Sequence, residues 1–170
     1  MAVSMHSATA PVFVQVLTAL SGCLDKAAAH CEAKKIDPNA LLQMRLAPDM
    51  YTLAQQVQQA TNHAVGAVAR PAGMEPPAFA GNEASFADLK ARVASALDFV
   101  KSVPASKVDG TEAKPVELKF PARTLNFTAQ NYAMHFALPN FFFHATTAYD
   151  ILRHAGVEVG KRDFIGQIPS

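Results

Sequence analysis

Apolar side chains recur at three- and four-residue steps in four stretches of this chain, and at two-residue steps in only one. From Pro11, the positions Phe13, Val16, Leu17, Leu20, Leu24, Ala27 and Cys31 fall on one helical face, and Pro11 suits a first turn. This helix should fade at Lys34-Lys35, before a turn at Ile36-Asp37-Pro38-Asn39, because proline keeps the preceding residue out of helical geometry. Leu41 to Ala47 reads as a connector with room for one helical turn. Pro48-Asp49 is expected to open a second helix, with the stripe Met50, Leu53, Val57, Ala60, Ala64 and Val68, stopping near Arg70-Pro71-Ala72-Gly73. Met74 to Gly81 is an irregular crossover. Ser85-x-x-Asp88 resembles a capping box, and the helix behind it carries Phe86, Leu89, Val93, Ala96, Leu97 and Val100 and ends before Pro104.

Ala105 to Pro115 is polar and rich in turn formers, and the period then changes. Val116, Leu118 and Phe120 alternate with Glu117 and Lys119, Leu125 and Phe127 flank Asn126, and Pro121-Ala122-Arg123-Thr124 separates the two runs. That pattern predicts a β-hairpin. Thr128 to Ala137 is a short helical lead-in, and Pro139 should open the last long helix, which Gly156 stops. The tail is too apolar to float free, so Val157, Phe164 and Ile165 are expected to pack back on the body. The whole predicts an all-α chain: a four-helix bundle decorated by a small β-hairpin before the last helix, as one domain over residues 1–170.

Composition narrows the function. Half of the 170 residues are apolar and 17% are charged, which excludes a disordered chain. With 15 basic against 14 acidic side chains there is no field to attract nucleic acid or an anionic lipid surface, so neither partner is expected. No apolar run approaches the roughly 20 residues that span a bilayer. Cys23 and Cys31 sit eight apart in one helix, about 12 Å by helical rise, too far for a disulfide, and read as small buried groups in a reducing compartment. Leu20-Ser21-Gly22-Cys23 matches a lipoprotein cleavage pattern, but no Lys or Arg precedes it in the first ten residues and Gln15 interrupts the apolar core. A cytoplasmic location is the expectation.

Chemistry concentrates on the last helix. At about 100° per residue, Phe141, His144, Ala145, Ala148, Ile151, Leu152 and Ala155 share one half of its circumference, with His144 near the middle and His154 outside. An imidazole in a bundle core needs a hydrogen-bond partner or a metal. The plain reading is anchorage to an Asp, a Tyr or a backbone carbonyl; the functional one is a ligand-binding group. Phe142, Thr146, Tyr149 and Arg153 lie on another side of the same helix, which calls for cover by the hairpin and tail or by a second copy of the protein. His63 projects from the edge of its stripe, toward a bundle mouth or toward solvent, and His135 on the lead-in admits a structural or a site role. Asp150 and Arg153, three apart, read as a surface ion pair, and Lys161 and Asp163 as groups that close over the bundle mouth or tie the tail down. No Gly-x-Ser-x-Gly, phosphate loop, CxxC or HExxH is present.

Two segments, LAPDMYTLAQQVQQATNHA and HFALPNFFFHATTAYDILRHAGVEVGKRDFIG, resemble the DUF1993 family, a bacterial group related to the DinB/YfiT-like proteins. The resemblance implies a DinB-type four-helix bundle, commonly dimeric. It also implies a divalent metal, zinc or nickel, on three histidines, one from the second helix and two from an HxxxH pair on the fourth, and thiol-dependent transferase activity in some members. His63 matches the second-helix ligand and His144 the first of the pair, but Ala148 stands where the second should be. His135 or Asp163 would have to be recruited to complete a catalytic set of three ligands. The leading expectation is therefore a DinB-like bundle, homodimeric and metal-free, holding a small molecule in a polar pocket around His144 with His63, His135 and Tyr149. The alternatives are a metal-dependent thiol transferase or hydrolase on His63 and His144, and an interaction module that dimerises through Phe142 and Tyr149.

Overall fold

The structure, a computed structural model, describes residues 3–168. The long helix α1 (Ala10–Lys34) ends on Lys35 in the left-handed conformation, followed by the short α2 (Pro38–Leu42), capped by the Asp37 carboxylate. The helices α3 (Leu53–Ala69) and α4 (Phe86–Ser102) follow, then a turn of helix, α5 (Ala105–Val108). The strands β1 (Pro115–Phe120) and β2 (Arg123–Thr128) pair antiparallel, with Val116 opposite Phe127 and Phe120 opposite Arg123, so that Pro121-Ala122 alone makes the turn. A continuous helical run then passes from α6 (Ala129–Asn131) through a π-helical segment, Tyr132–Ala137, into α7 (Leu138–His154). The tail carries α8 (Lys161–Ile165).

The four long helices form a ring in the order α1, α4, α3, α7, each packed on its neighbours. Phe13, Leu17 and Leu24 of α1, Leu53 and Val57 of α3, Leu89 of α4, and Phe141, Ile151 and Leu152 of α7 are fully buried between them. Phe13 meets Phe141 edge-on with ring centroids 4.8 Å apart. The fold is thus the expected helical bundle with a two-stranded hairpin ahead of its last long helix. By length and composition α1 is apolar enough to cross a membrane, beyond what its interrupted sequence suggested. Its apolar side, including Cys23 at the end of the cleavage-like motif, is spent on the bundle core. Both cysteines are free and buried, and burial raises the Cys23 thiol to about 11.

Two boundaries and one side-chain pairing differ from the sequence reading. The second long helix begins at Leu53, not at Pro48-Asp49. Thr52 and Gln55 form a reciprocal capping box, with Thr52 Oγ1 accepting from Gln55 N at 3.2 Å and Gln55 Oε1 accepting from Thr52 N at 3.0 Å. That pair satisfies two end groups that a proline start leaves open, and Met50 falls in a turn outside the stripe. α-Helical geometry does resume at Leu138 with Pro139 in its first turn, but the chain enters from a helix rather than a loop. Pro139 has no N–H to offer the carbonyl four residues back, and the turn before it is widened, with Leu138 N bonding to Ala133 O five residues away. Finally, Arg153 donates to Val159 O at 3.1 Å instead of pairing with Asp150. The tail closes on α1 as expected: Val157 is buried, Phe164 packs on Tyr149, and Asp163 caps α8 and pairs with Lys26 of α1 at 2.7 Å.

Candidate functional site

A cavity of about 920 Å³ opens between α3, the π segment with the start of α7, the crossover after α3, and β1. Its floor comes from two rows of side chains. On α3 and its C-cap, Gln56, His63 and Arg70 are spaced seven apart, two helical turns each, and so share a face; His63 and Arg70 line the cavity, and Gln56 lies buried behind His144. Facing them, Tyr132, Phe136, Asn140 and His144 follow one another at four-residue steps.

His144 is 8% exposed and its Nδ1 lies 2.7 Å from Gln56 Oε1. Gln56, 1% exposed, donates from its amide nitrogen to Tyr51 O at 3.3 Å, which leaves Oε1 as its accepting end. The hydrogen therefore sits on Nδ1 of a neutral His144, and Nε2 keeps its lone pair. That Nε2 has no protein partner, yet no fully buried side-chain nitrogen or oxygen among the described residues is left without one. Nε2 therefore meets accessible space, on the side where His144 lines the cavity. His63 stacks on His144 with centroids 5.5 Å apart and planes 12° from parallel, Tyr51 stacks on His144 at 6.1 Å, and Phe136 lies 5.7 Å from His63.

This packing keeps both imidazoles uncharged. Burial lowers His144 to about 4. His63 is lowered to about 4 by burial first, then by the neighbouring His144 and Arg70. At the far end of the cavity Arg70 Nη1 donates to the Tyr132 hydroxyl at 2.7 Å. Burial raises the Tyr132 phenol, and Arg70 opposes that shift only in part.

Of the residues singled out in sequence, His144 and His63 meet in this cavity. His135 points outward to solvent, and Tyr149 packs on Phe164 of the tail, away from the cavity. Ala148 is fully buried, and Asp163 is engaged with Lys26 at the α1 face. No group of three His, Cys, Asp or Glu side chains is placed to share a metal ion among the described residues. Two imidazoles fall short of the three-ligand set of a catalytic zinc or nickel centre.

Gln56, Arg70, Phe136 and Tyr51 were missed. Gln56 stands four and eight residues before Ala60 and Ala64 of the apolar stripe, a position that calls for a buried amide with partners. The seven-residue recurrence of Gln56, His63 and Arg70 was also legible. The Tyr132–Arg70 contact joins residues 62 apart and was not.

The fold and this geometry place the chain among DinB-like helical bundles. A crystal structure of a DinB family member protein from Shewanella denitrificans matches it with a TM-score of 0.86 at 37% identity, over 97% of this chain and 93% of that one. The model of the DUF1993 family, a domain of unknown function, matches residues 5–165, and the chain belongs to that family. Among curated proteins none matches.

Proposed function

We propose that this protein binds a small molecule in the cavity between α3, β1 and the π segment, and recognises it through His144. The observation that carries this reading is the hydrogen bond from His144 Nδ1 to Gln56, which fixes a neutral ring whose Nε2 lone pair meets the cavity. A buried glutamine held by its own backbone bond to Tyr51 aligns the ring, as expected of a polar group preorganised for a ligand. Neutral Nε2 accepts a hydrogen bond from a ligand hydroxyl or amide, and the stacked faces of His63, Tyr51 and Phe136 provide an apolar wall.

Phenol, which carries one donor and one flat apolar face, tests this. Followed by side-chain nitrogen NMR of the histidines, it should shift the His144 Nε2 resonance saturably, and His144→Phe should abolish binding. An unshifted His144 ring at the solubility limit of phenol removes the reading.

A metal-dependent reading draws on one observation, the meeting of His63 and His144 in one cavity. It requires stoichiometric zinc or nickel in purified protein by elemental analysis, lost on His144→Ala. We further propose a cytoplasmic homodimer. Support for the compartment comes from the free buried cysteines, and for association from Phe142 and Phe143 of α7, which are 38% and 54% exposed while Tyr149 is covered by the tail. Light scattering of wild type and Phe142→Asp tests the dimer, and a monomeric wild type ends that proposal.

A further inference from the structure

The cavity contains a guanidinium with an open face. Arg70 uses only Nη1, on Tyr132, and no carboxylate pairs with it among the described residues. Its Nε and Nη2 have no protein partner, and since no fully buried side-chain nitrogen is left unpaired, they reach accessible space. Nε and Nη2 form the side of a guanidinium that offers two parallel N–H groups, the fork that matches the two oxygens of a carboxylate. The Tyr132 hydroxyl accepts from Arg70, and its own hydrogen has no acceptor among the described residues.

A second observation shows that room is reserved for this arm. Gly66 lies in the interior of α3, where glycine is less favourable than alanine, and its φ is not in the left-handed region. Conformational freedom is not what it supplies. A Cβ at Gly66 would stand 2.2 Å from Arg70 Nη1 and 2.7 Å from the Tyr132 hydroxyl oxygen. The glycine lets Arg70 fold back along its own helix, one turn on, and meet Tyr132.

We propose that Arg70 and Tyr132 form a carboxylate-binding subsite, so that the molecule held beside His144 is a small monocarboxylic acid with a flat, apolar body. This rests on the cavity reading above and names the other end of its ligand. Arg70, at the C-cap of α3, follows His63 by two helical turns and folds back one turn toward Gly66, so the ligand lies along this face of α3 between the guanidinium and His144. Phe136 lies between, 5.9 Å from the Tyr132 ring and 5.7 Å from His63, and packs the body. Glu75 and Glu117 also line the wall, the latter paired with Lys119 at 3.0 Å. Lys119 and Arg123 line it as well and balance their charge, so the preference for a carboxylate over a phosphate rests on the planar two-pronged fork of Arg70.

Phenylacetate, phenylacetamide and benzylphosphonate, titrated into the full-length protein and followed by NMR, separate the outcomes. Phenylacetate should bind at least about tenfold tighter than the amide and tighter than the phosphonate. Arg70→Lys, which keeps a charge but loses the fork, should remove most of that advantage. Gly66→Ala, which displaces the guanidinium, should remove it too. Equal affinity for acid and amide, preference for the phosphonate, or undiminished acid binding by Arg70→Lys overturns the subsite. If the variants do not fold, the acid-to-amide ratio of the wild type decides alone. Amide binding at His144 with no gain for the acid sinks the subsite and spares the cavity reading. Silence from all three probes and from phenol sinks both.

Discussion

Two arginines beside α3 show what a polar network looks like when it is closed and when it is left open. Arg92 of α4 is buried with every nitrogen engaged: Nε to Thr61, Nη1 to Glu83 at 2.8 Å, and Nη2 to the Gln58 carbonyl and the Asn62 side chain. Its guanidinium carbon also lies 4.4 Å from the Phe79 ring centroid. Burial alone would raise Glu83, but the bonds from Arg92 and Gln58 outweigh it and hold the carboxyl below its usual range. Nothing there is available to a ligand, and the effect is to bind the crossover between α3 and α4 to the bundle. Arg70 has one protein bond, and its neighbours His63 and His144 present unpartnered ring nitrogens to the same cavity. Buried charge satisfied on all sides is structure, whereas polar atoms held in place but left unpaired constitute a site.

Breaking the closed network should have the largest effect. Arg92→Met strands Glu83 and releases the crossover, and should cost about 3–5 kcal/mol in chemical denaturation. The open network should instead show itself through pH. His63 and His144 are lowered to about 4 in the folded protein against an ordinary 6.5, so the unfolded chain binds more protons between those values. Stability is then complete above about pH 6.5 and falls as the pH drops toward 4. The loss should be on the order of 2 kcal/mol per imidazole, after allowance for partial solvation, and His144→Gln should remove its share of the slope in denaturation curves taken across that range. The smallest effect belongs to Gly66→Ala: the gain in helix propensity and the displacement of Arg70 should leave stability within about 1 kcal/mol of wild type by calorimetry. A large loss there would mean that Arg70, like Arg92, is part of the framework.

Much of the frame was legible because its signals are local. The stripe of α1, the Ser85 cap of α4, and the two-residue alternation of the hairpin each lie within a few residues and name their own element. His144 could be placed in the core for the same reason, by counting around a single helix. Its partner could not be named, because Gln56 lies 88 residues away and glutamine carries no mark of burial in a sequence. Arg70 was read as the place where a helix stops, which it is, and Pro139 as the place where one starts. The widened turn before Pro139 has no signature in periodicity, and it decides how the residues ahead of it face the cavity.

That turn acts as a phase insert between two stretches of one rod. In ordinary α-geometry each residue advances the helix by about 100°, and the widened turn takes up an extra residue, so rewinding Tyr132–Ala137 as regular α-helix with no residue removed would rotate everything upstream against everything downstream by up to about that angle. His144 would keep its place, while Tyr132 would turn away from Arg70 and the attachment of the hairpin would swing with it. A change that makes the helix more regular without shortening it would thereby uncouple the two ends of the cavity. The irregularity is what keeps them aimed at the same point.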